Sequence, residues 1–263
     1  MGKEMEHSQE QGNLWGAQAW DWTYLFEPMS KPLWTAMLDS ANVQAGTEFI
    51  DLGCGGGGAS LLAAQRGAHV SGLDAADALI QIAHKRLPRG DFRVGDLESL
   101  PFNDNRFDVT FSSLSLMFAN NWATALSEMK RVTSSGERVT IGIWGVPEDC
   151  EYRHILKAIA NTLPFLPTGS GPFALSERNL LENMMITAGL EILERGDVSV
   201  PFQFSDFETM WRTVNSVGPM QAAKQLVSEE TLKTAILQAT QPFQADNGNI
   251  LFNNRLKYVT AVA

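Results

Sequence analysis

The sequence has 263 residues, of which 44% are hydrophobic and 19% are charged, and a formal net charge of −10 at pH 7. This length and apolar content predict one large packed domain and exclude a disordered chain, and the acidic balance disfavours nucleic acid as a partner, because phosphate binding requires a basic face. Two cysteines are too few for a disulfide framework, and no apolar run reaches the roughly 18 residues of a membrane span. We therefore expect a cytoplasmic protein without a membrane or secretory segment.

The N-terminal part is predicted to be a helical flap of residues 1–40, beginning with a loose tail at residues 1–12. Aromatic side chains are dense between Leu14 and Leu38. Core packing is the more frequent use of such side chains, and a lid over a bound ligand is the alternative. Pro28 interrupts the helical pattern, and a further helix is expected from Pro32 to Ser40.

A buried strand from Phe49 to Leu52 is followed directly by a glycine turn and then by a helix. Glycine accepts backbone dihedrals that a side chain forbids and lets a ligand approach the main chain. The N–H groups at the start of the helix face the same crevice. Gly53, Gly55 and Gly58 also match the G-x-G-x-x-G spacing of a dinucleotide site, so NAD is one candidate ligand.

An aspartate ends each of the first three predicted strands, at Asp51, Asp74 and Asp96. Parallel strands bring their carboxyl ends to the edge at which open α/β sheets bind ligands. Asp51 would repel a pyrophosphate and attract an ammonium group, which favours S-adenosylmethionine over NAD. Asp74 follows Gly55 at about the 20-residue spacing of a carboxylate that binds ribose hydroxyls. Asp96 can accept a hydrogen bond from an amine such as that of adenine.

Strands and helices then alternate as far as Trp144. The pattern predicts strands at His69–Asp74, Phe92–Asp96, Phe107–Ser112 and Arg138–Trp144, and helices from the glycine turn to Arg66, at Ala76–Leu87 and at about Asn121–Thr133. Regular alternation of this kind is typical of a parallel sheet with helices on both faces. The predicted fold is therefore α/β, with a doubly wound, Rossmann-like and mostly parallel sheet.

Five segments form a specific pattern in their order and spacing: Phe49–Gly55, Ser71–Asp74, Gly95–Phe102, Arg106–Val109 and Glu128–Val132. The pattern resembles the class I S-adenosylmethionine-dependent methyltransferases, most closely their small-molecule, ubiquinone/menaquinone-type branch (methyltransferase type 11-like). The likeness extends over roughly residues 14–145. It implies S-adenosyl-L-methionine as the cofactor and S-adenosyl-L-homocysteine as its product.

The resemblance also implies roles for individual positions. Asp51 and the backbone of the glycine turn would hold the methionine part of the cofactor, and Asp74 would hold the ribose. The residues next to the strand-end acids, Ala75 and Leu97, would contact the adenine together with Asp96. The complete predicted cofactor set is Trp22, Asp51, Gly53, Cys54, Gly55, Asp74, Ala75, Asp96, Leu97 and Ser112.

The chain after Trp144 resembles the family less closely. Residues 146–263 are predicted to complete the sheet and to insert a helical lid over the substrate, beside a core of residues 41–145, within a single domain overall. The expected elements are a helix at 149–163, a linker at 164–172, a helix capped by Ser176 and ending at Gly189, a strand at Leu190–Phe204, helices within 206–241 of which one is capped by Ser228, and a last strand at Ile250–Val262. The resemblance implies that this last strand is antiparallel.

Methyl transfer from a sulfonium is a direct displacement, so alignment and exclusion of water can lower much of its barrier. Where the acceptor must lose a proton, a base is required. His154 is the candidate base, and an ordinary surface histidine is the alternative. Acidic pairs at metal-ligand spacing are absent from the sequence, so no metal is predicted. Apolar residues near the expected edge favour a small apolar or aromatic acceptor in a pocket lined by Met117, Phe118, Trp144 and Phe173.

Three functions remain open from the residues. A small-molecule methyltransferase acting on an oxygen, nitrogen or carbon atom agrees with the strand-end acids. A binding protein or non-methylating catalyst, such as a cyclase, agrees with the lack of an evident base. An NAD-dependent oxidoreductase agrees with the literal glycine spacing, but less well with Asp51. Fold alone does not discriminate among these functions.

Overall fold

The computed structural model describes residues 2–165 and 171–263, with residues 2–6 described as backbone. The predicted linker at 164–172 lies largely outside the described residues. In the described ranges the strands are β1 (Glu48–Leu52), β2 (His69–Asp74), β3 (Asp91–Val94), β4 (Phe107–Ser113), β5 (Thr133–Trp144), β6 (Glu191–Ser199), β7 (Phe202–Phe204), β8 (Ile250–Phe252) and β9 (Arg255–Val262).

In the same ranges, three α-helices precede β1, three lie between β7 and β8, and the others lie between strands of the larger sheet. The helices are α1 (Gly2–Gly16), α2 (Ala19–Asp21), α3 (Lys31–Ser40), α4 (Gly58–Gln65), α5 (Asp77–Arg86), α6 (Trp122–Val132), α7 (Arg153–Thr162), α8 (Leu180–Thr187), α9 (Phe207–Asn215), α10 (Gly218–Lys224) and α11 (Glu229–Thr240). A π-helix at Trp22–Phe26 and a 3-10 helix at Glu27–Ser30 lie between α2 and α3.

In the described part of the chain, seven strands form one sheet in the order β3-β2-β1-β4-β5-β9-β6. Strands β1 to β5 run parallel, and β9 lies antiparallel between β5 and β6. Strands β7 and β8 pair with each other as a separate antiparallel ribbon. The doubly wound, mostly parallel fold and the antiparallel last strand are thus confirmed.

Strand β1 lies inside the sheet between β2 and β4 and is covered on both faces. Phe49 belongs to one buried cluster and Ile50 to another, because successive side chains of a strand point to opposite faces. Both side chains and Leu52 have no exposed surface. A strand buried on both faces reads as a continuous apolar run, which is why β1 is recognisable in the sequence.

The loose tail predicted at residues 1–12 is wrong, because α1 begins at Gly2. This helix contacts α5 and α10. A Cβ atom at Gly12 would lie 2.2 Å from the carbonyl oxygen of Ala75, so only glycine allows the helix so close. His7 also donates a hydrogen bond to the carbonyl of Phe118 (3.0 Å). Tertiary packing of this kind stabilises a helix whose own sequence is weakly patterned.

Two boundaries in the C-terminal half also differ from the predictions. The predicted strand at Leu190–Phe204 is two strands, β6 and β7, separated at Pro201, which has no N–H to give to a sheet. Ile250–Val262 is likewise divided into β8 and β9.

The two predicted helix caps have different outcomes. Ser176 does not cap a helix: its hydroxyl donates to the carbonyls of Gly145 (2.9 Å) and Phe173 (2.7 Å), and α8 begins later, at Leu180. Ser228, by contrast, caps α11, because its hydroxyl accepts the N–H of Thr231 (3.3 Å).

Among the described residues, none of the helices is both long and apolar enough to cross a membrane. The flap predicted at residues 1–40 is helical through α1, α2 and α3. The division into a flap, a core of residues 41–145 and a remainder of residues 146–263 stays a prediction.

Candidate functional site

The three strand-end aspartates lie at one edge of the sheet. The order β3-β2-β1 puts their strands side by side, and the register pairs Leu52 with Leu73 and Asp74 with Val94. Asp51 and Asp74 therefore lie at neighbouring strand ends, and Asp96 follows the end of β3. This is the carboxyl edge of the parallel strands, where open α/β sheets bind their ligands.

Asp51 is buried at the end of β1, with 2% of its surface exposed. Its carboxylate accepts a hydrogen bond from the hydroxyl of Ser60 on α4 (2.7 Å). The pKa of Asp51 is raised to about 7, chiefly by burial and also by the negative charges of Glu27 and Asp74, while the Ser60 hydrogen bond opposes the rise. The sequence placed this acid at the glycine turn, but its partner on the following helix was not predicted.

Asp74 holds the glycine turn against β2. One carboxylate oxygen accepts the N–H of Gly55 (2.9 Å) and the other accepts the N–H of Ala76 (2.9 Å). Desolvation raises the pKa of Asp74, while these backbone donors oppose the rise. Asp74 and Ala75 both remain partly exposed, so their outer surfaces can face a ligand.

Asp96 lies just after β3, which ends at Val94 rather than at the predicted Asp96, and it is half-buried, as is Leu97. One oxygen of its carboxylate accepts the N–H of Glu98 (2.9 Å). Among the described residues, no hydrogen bond uses its other oxygen, which can accept a donor from a ligand. Side chain and backbone at this position thus suit a heterocycle that has a donor and an acceptor on one edge.

The glycine turn has a backbone that side chains would forbid. Gly53, Gly55 and Gly57 have φ values of +75°, +54° and +83°. The N–H groups of Gly53 and Cys54 both donate to the carbonyl of Leu73, at 2.7 and 3.0 Å. These donors are therefore engaged within the protein, whereas the carbonyl oxygen of Gly53 has no donor among the described residues and can accept one from an ammonium group.

The π-helix of the flap covers this turn. A Cβ atom at Gly55 would lie 2.4 Å from the ring of Trp22, and one at Gly56 would lie 2.5 Å from the hydroxyl of Thr23. The indole Nε1 of Trp22 and the hydroxyl of Thr23 are buried, and neither has a hydrogen-bond partner among the described residues. Because unpaired buried donors are unfavourable and π-helices are frequent at functional sites, this segment has the properties of a ligand contact.

An aromatic cluster lies at the end of β5 and includes Phe26 of the flap. It consists of Phe26, Trp144, Tyr152, Phe173 and Phe202. The rings of Trp144 and Tyr152 are stacked, with centroids 5.9 Å apart and planes 4° apart. Phe202 lies 5.2 Å from Tyr152 and 5.4 Å from Phe26, and Phe173 lies 5.7 Å from Trp144. The Tyr152 hydroxyl is buried without a partner in the described chain, and burial raises its pKa.

Residues 50–141 match a family model described as a methyltransferase domain. Over this range the chain is similar to methyltransferase domains that use S-adenosylmethionine. A demethylmenaquinone methyltransferase of Paenarthrobacter aurescens is 32% identical over 133 residues, which is 50% of this chain and 53% of that protein. The chain spans about half the length of the curated relatives it matches.

Solved structures share the fold of the methyltransferase domain at low sequence identity. The geranyl diphosphate C-methyltransferase of Streptomyces coelicolor, solved with S-adenosyl-L-homocysteine, is 17% identical with a TM-score of 0.53, covering 90% of this chain and 80% of its own. The [4+2]-cyclase SpnF is 18% identical with a TM-score of 0.56, covering 88% and 79%. Such identities establish the fold and leave the reaction to be argued from the site.

The cofactor of this family is S-adenosyl-L-methionine, and the methyltransferase domain has residues that fit it. The carbonyl of Gly53 and the acids at the strand ends suit a positively charged amino acid part and a ribose. The unpartnered indole Nε1 of Trp22 supplies a buried donor beside the turn. The residues present thus fit S-adenosylmethionine better than NAD, whose pyrophosphate would meet these acids.

The fold does not bring the four predicted pocket residues together in one place. Trp144 and Phe173 are members of the aromatic cluster. Phe118 lies instead on the N-terminal side, where its ring meets Trp15 of α1 (5.1 Å). Met117 is half-buried between the cores on the two faces of the sheet. Tyr152 and Phe202, which sequence reasoning missed, complete the cluster from distant elements.

Of two further predicted site residues, His154 has no described contact with the turn, whereas Ser112 is linked to it through Ser115, which packs against Gly53. His154 is exposed on α7, with its ring 5.3 Å from Phe243, and no described hydrogen bond or aromatic contact joins it to the aromatic cluster or the turn. Ser112 is fully buried at the end of β4, where its hydroxyl bonds that of Ser115 (2.7 Å), which in turn donates to the carbonyl of Leu52 (2.6 Å). Ser112 thus supports the junction of β4 with β1.

Proposed function

We propose that the protein transfers a methyl group from S-adenosylmethionine to a small apolar or aromatic acceptor. The observation that supports this most directly is the position of the flap. Its π-helix places Trp22 against the glycine turn and Phe26 against Phe202 and Tyr152. One turn of chain therefore connects the cofactor edge with an aromatic cluster at the end of β5.

Each strand end would bind a different part of the cofactor. We propose that Asp74 binds the ribose through the outer lone pairs of its carboxylate, and that Asp96 and the N–H of Leu97 bind the adenine beside Ala75. Asp51 and the carbonyl of Gly53 would face the ammonium group of the methionine part. The support is their common edge, the partial exposure of Asp74 and Asp96, and the chemistry of carbonyl and carboxylate oxygens.

The bound cofactor supplies an electrophilic methyl group on a sulfonium. The task of the chain is then to align the acceptor and to exclude water. The aromatic cluster provides an apolar wall for a flat or hydrocarbon acceptor. Within it, the unpartnered hydroxyl of Tyr152 would orient a polar atom of the acceptor by a hydrogen bond, which would also remove an unfavourable buried group.

The names of two similar proteins agree with an acceptor of this kind. Demethylmenaquinone, in the name of the Paenarthrobacter relative, and geranyl diphosphate, in that of the Streptomyces structure, both include a large apolar part. Neither name identifies the acceptor atom for this chain. The base proposed at His154 would be needed only for an acceptor that loses a proton, and its exposed position makes it a separate test.

Two measurements test the proposal. Calorimetry should show that S-adenosyl-L-homocysteine binds the protein and that Asp74→Ala weakens this binding strongly, whereas Asp246→Ala, in an exposed turn, leaves it unchanged. Incubation with S-adenosylmethionine labelled in its methyl group and a panel of quinols, phenols and isoprenoids should transfer label to a product. Equal affinity in Asp74→Ala would contradict the proposed site.

A second candidate is a non-methylating catalyst that uses the cofactor for shape. Among the described members of the aromatic cluster, Tyr152 alone carries a titratable group, and a cyclase shares the fold. Conversion of an acceptor without transfer of label would favour this candidate.

A further inference from the structure

The start of α4 is already filled by a carboxylate of the protein. In dinucleotide sites, the helix that follows a glycine turn binds a pyrophosphate at its N-terminus. Here the flap residue Glu27, 3% exposed, accepts the N–H of Gly58 with its carboxylate (3.2 Å). A Cβ atom at Gly58 would lie 2.9 Å from the carboxyl carbon of Glu27, so a glycine is required for this approach.

Arg86 holds this carboxylate in place. Its guanidinium pairs with the second oxygen of Glu27 and also donates to the carbonyls of Gly56 (3.1 Å) and Thr23 (3.2 Å). The same group lies over the ring of Tyr24, 4.8 Å from its centroid. One cation at the end of α5 therefore joins the flap to the glycine turn.

The surroundings of Glu27 are those of a bound anion. Burial raises the pKa of its carboxyl, and Arg86 and the N–H groups of Gly58 and Gly56 oppose the rise. The buried hydroxyl of Thr23, which contacts Gly56, has no partner among the described residues. A cation, helix N–H groups and an unpaired hydroxyl thus surround the position that a phosphate takes in a dinucleotide site.

We infer that Glu27, held by Arg86, is a specificity-determining residue that occupies the phosphate position of the glycine turn and excludes phosphate-bearing cofactors. A pyrophosphate would have to displace a buried ion pair and would meet the nearby charges of Asp51 and Asp74. This explains why a literal G-x-G-x-x-G occurs in a chain whose family uses S-adenosylmethionine. That S-adenosylmethionine is the cofactor bound here depends on the proposed function. The exclusion of phosphate depends only on Glu27 and Arg86.

The test removes the carboxylate of Glu27 and measures whether an added anion binds in its place. In Glu27→Ala, Arg86 and the N–H of Gly58 are exposed to a new space, so pyrophosphate should raise the thermal unfolding midpoint in a concentration-dependent way at matched ionic strength. We expect calorimetry to show at least tenfold tighter pyrophosphate binding than in the wild type. Glu27→Gln, which keeps the volume filled, should show no gain, and Glu27→Ala combined with Arg86→Met should lose the gain.

A further variant and a separate titration complete the test. Glu27→Ser, whose hydroxyl can still accept an N–H, repeats the test if Glu27→Ala does not fold. The inference is overturned if the wild type binds pyrophosphate or NAD as tightly as these variants, or if folded Glu27→Ala or Glu27→Ser shows no response to the anion. Titration of the wild type with S-adenosyl-L-homocysteine is judged apart, since its failure contradicts the proposed function and leaves the pyrophosphate comparison valid.

Discussion

The proposed cofactor side and the aromatic cluster are built in different ways. The cofactor side comes from one continuous part of the chain, the ends of β1, β2 and β3 between Asp51 and Asp96, and its groups are carboxylates and backbone atoms. The aromatic cluster draws Phe26, Trp144, Tyr152, Phe173 and Phe202 from separate elements and has one hydroxyl among five rings. A shared cofactor requires a fixed local geometry, whereas an acceptor pocket can be assembled from whatever elements the fold brings together.

The flap contributes residues to both the proposed cofactor side and the aromatic cluster. A variant that weakens its attachment is therefore expected to have the largest effect. Arg86→Met removes the cation from the buried carboxylate of Glu27 and should lower the free energy of unfolding by about 3–5 kcal/mol. Arg66→Met is the matched control, because its partner Asp39 is largely exposed, and it should cost at most about 1 kcal/mol. Urea titration of both variants measures the difference, and equal losses would mean that the flap is not held by Glu27.

The buried carboxyl of Asp51 predicts that the free energy of unfolding depends on pH. The pKa of Asp51 is raised to about 7 in the folded protein, so the folded state binds a proton that the unfolded state releases near pH 4. The contribution to stability is therefore present below pH 4 and is lost as the pH rises to about 7, by up to about 1.4 kcal/mol per pH unit.

Asp51→Asn keeps a partner for Ser60 and removes this titration. Its free energy of unfolding should fall less steeply between pH 5 and pH 7 than that of the wild type, in urea titrations at several pH values. The exposed residue Asp246 provides the control variant Asp246→Asn, which should follow the wild type. Parallel curves for Asp51→Asn and the wild type would show that Asp51 is ionised throughout this range.

Loss of the ribose carboxylate should weaken the cofactor side without disturbing the aromatic cluster. Asp74→Ala removes a charged acceptor that also holds Gly55 and Ala76, so S-adenosyl-L-homocysteine should bind roughly 30- to 100-fold less tightly. Asp74→Asn keeps one acceptor oxygen and should lose less. If Asp74→Asn were as weak as Asp74→Ala, the charge and not the geometry of the turn would be the main contribution.

The smallest effect is expected in the aromatic cluster. Tyr152→Phe keeps the ring stack and removes the unpartnered hydroxyl, so kcat/KM for a methyl acceptor should fall about tenfold while thermal stability stays equal or rises. His154→Gln is the companion variant: an exposed histidine should change kcat less than twofold. A large loss in kcat with a shifted pH profile for His154→Gln would instead support the predicted base.

The sequence predicted the cofactor half in detail. Strand β2 agrees at both ends, and β1 and β4 agree within one residue, because buried apolar runs followed by glycine or acid are local signals. The strand-end acids were identified for the same reason. The aromatic side was predicted only through Trp144 and Phe173, since Tyr152 and Phe202 have no local pattern that distinguishes a pocket wall from ordinary core.

Local spacing by itself thus determined the parallel core and the glycine turn, and the order of the motifs carried the resemblance to the methyltransferase family. Tertiary structure decided the rest: that residues near the N-terminus form a helix against Ala75, that Glu27 meets Arg86 across 59 positions of sequence, and that the aromatic rings come together beneath the flap. The physical reason is that turn dihedrals and strand periodicity act between neighbours in sequence. Ion pairing and burial act instead between groups that become neighbours only when the chain has folded.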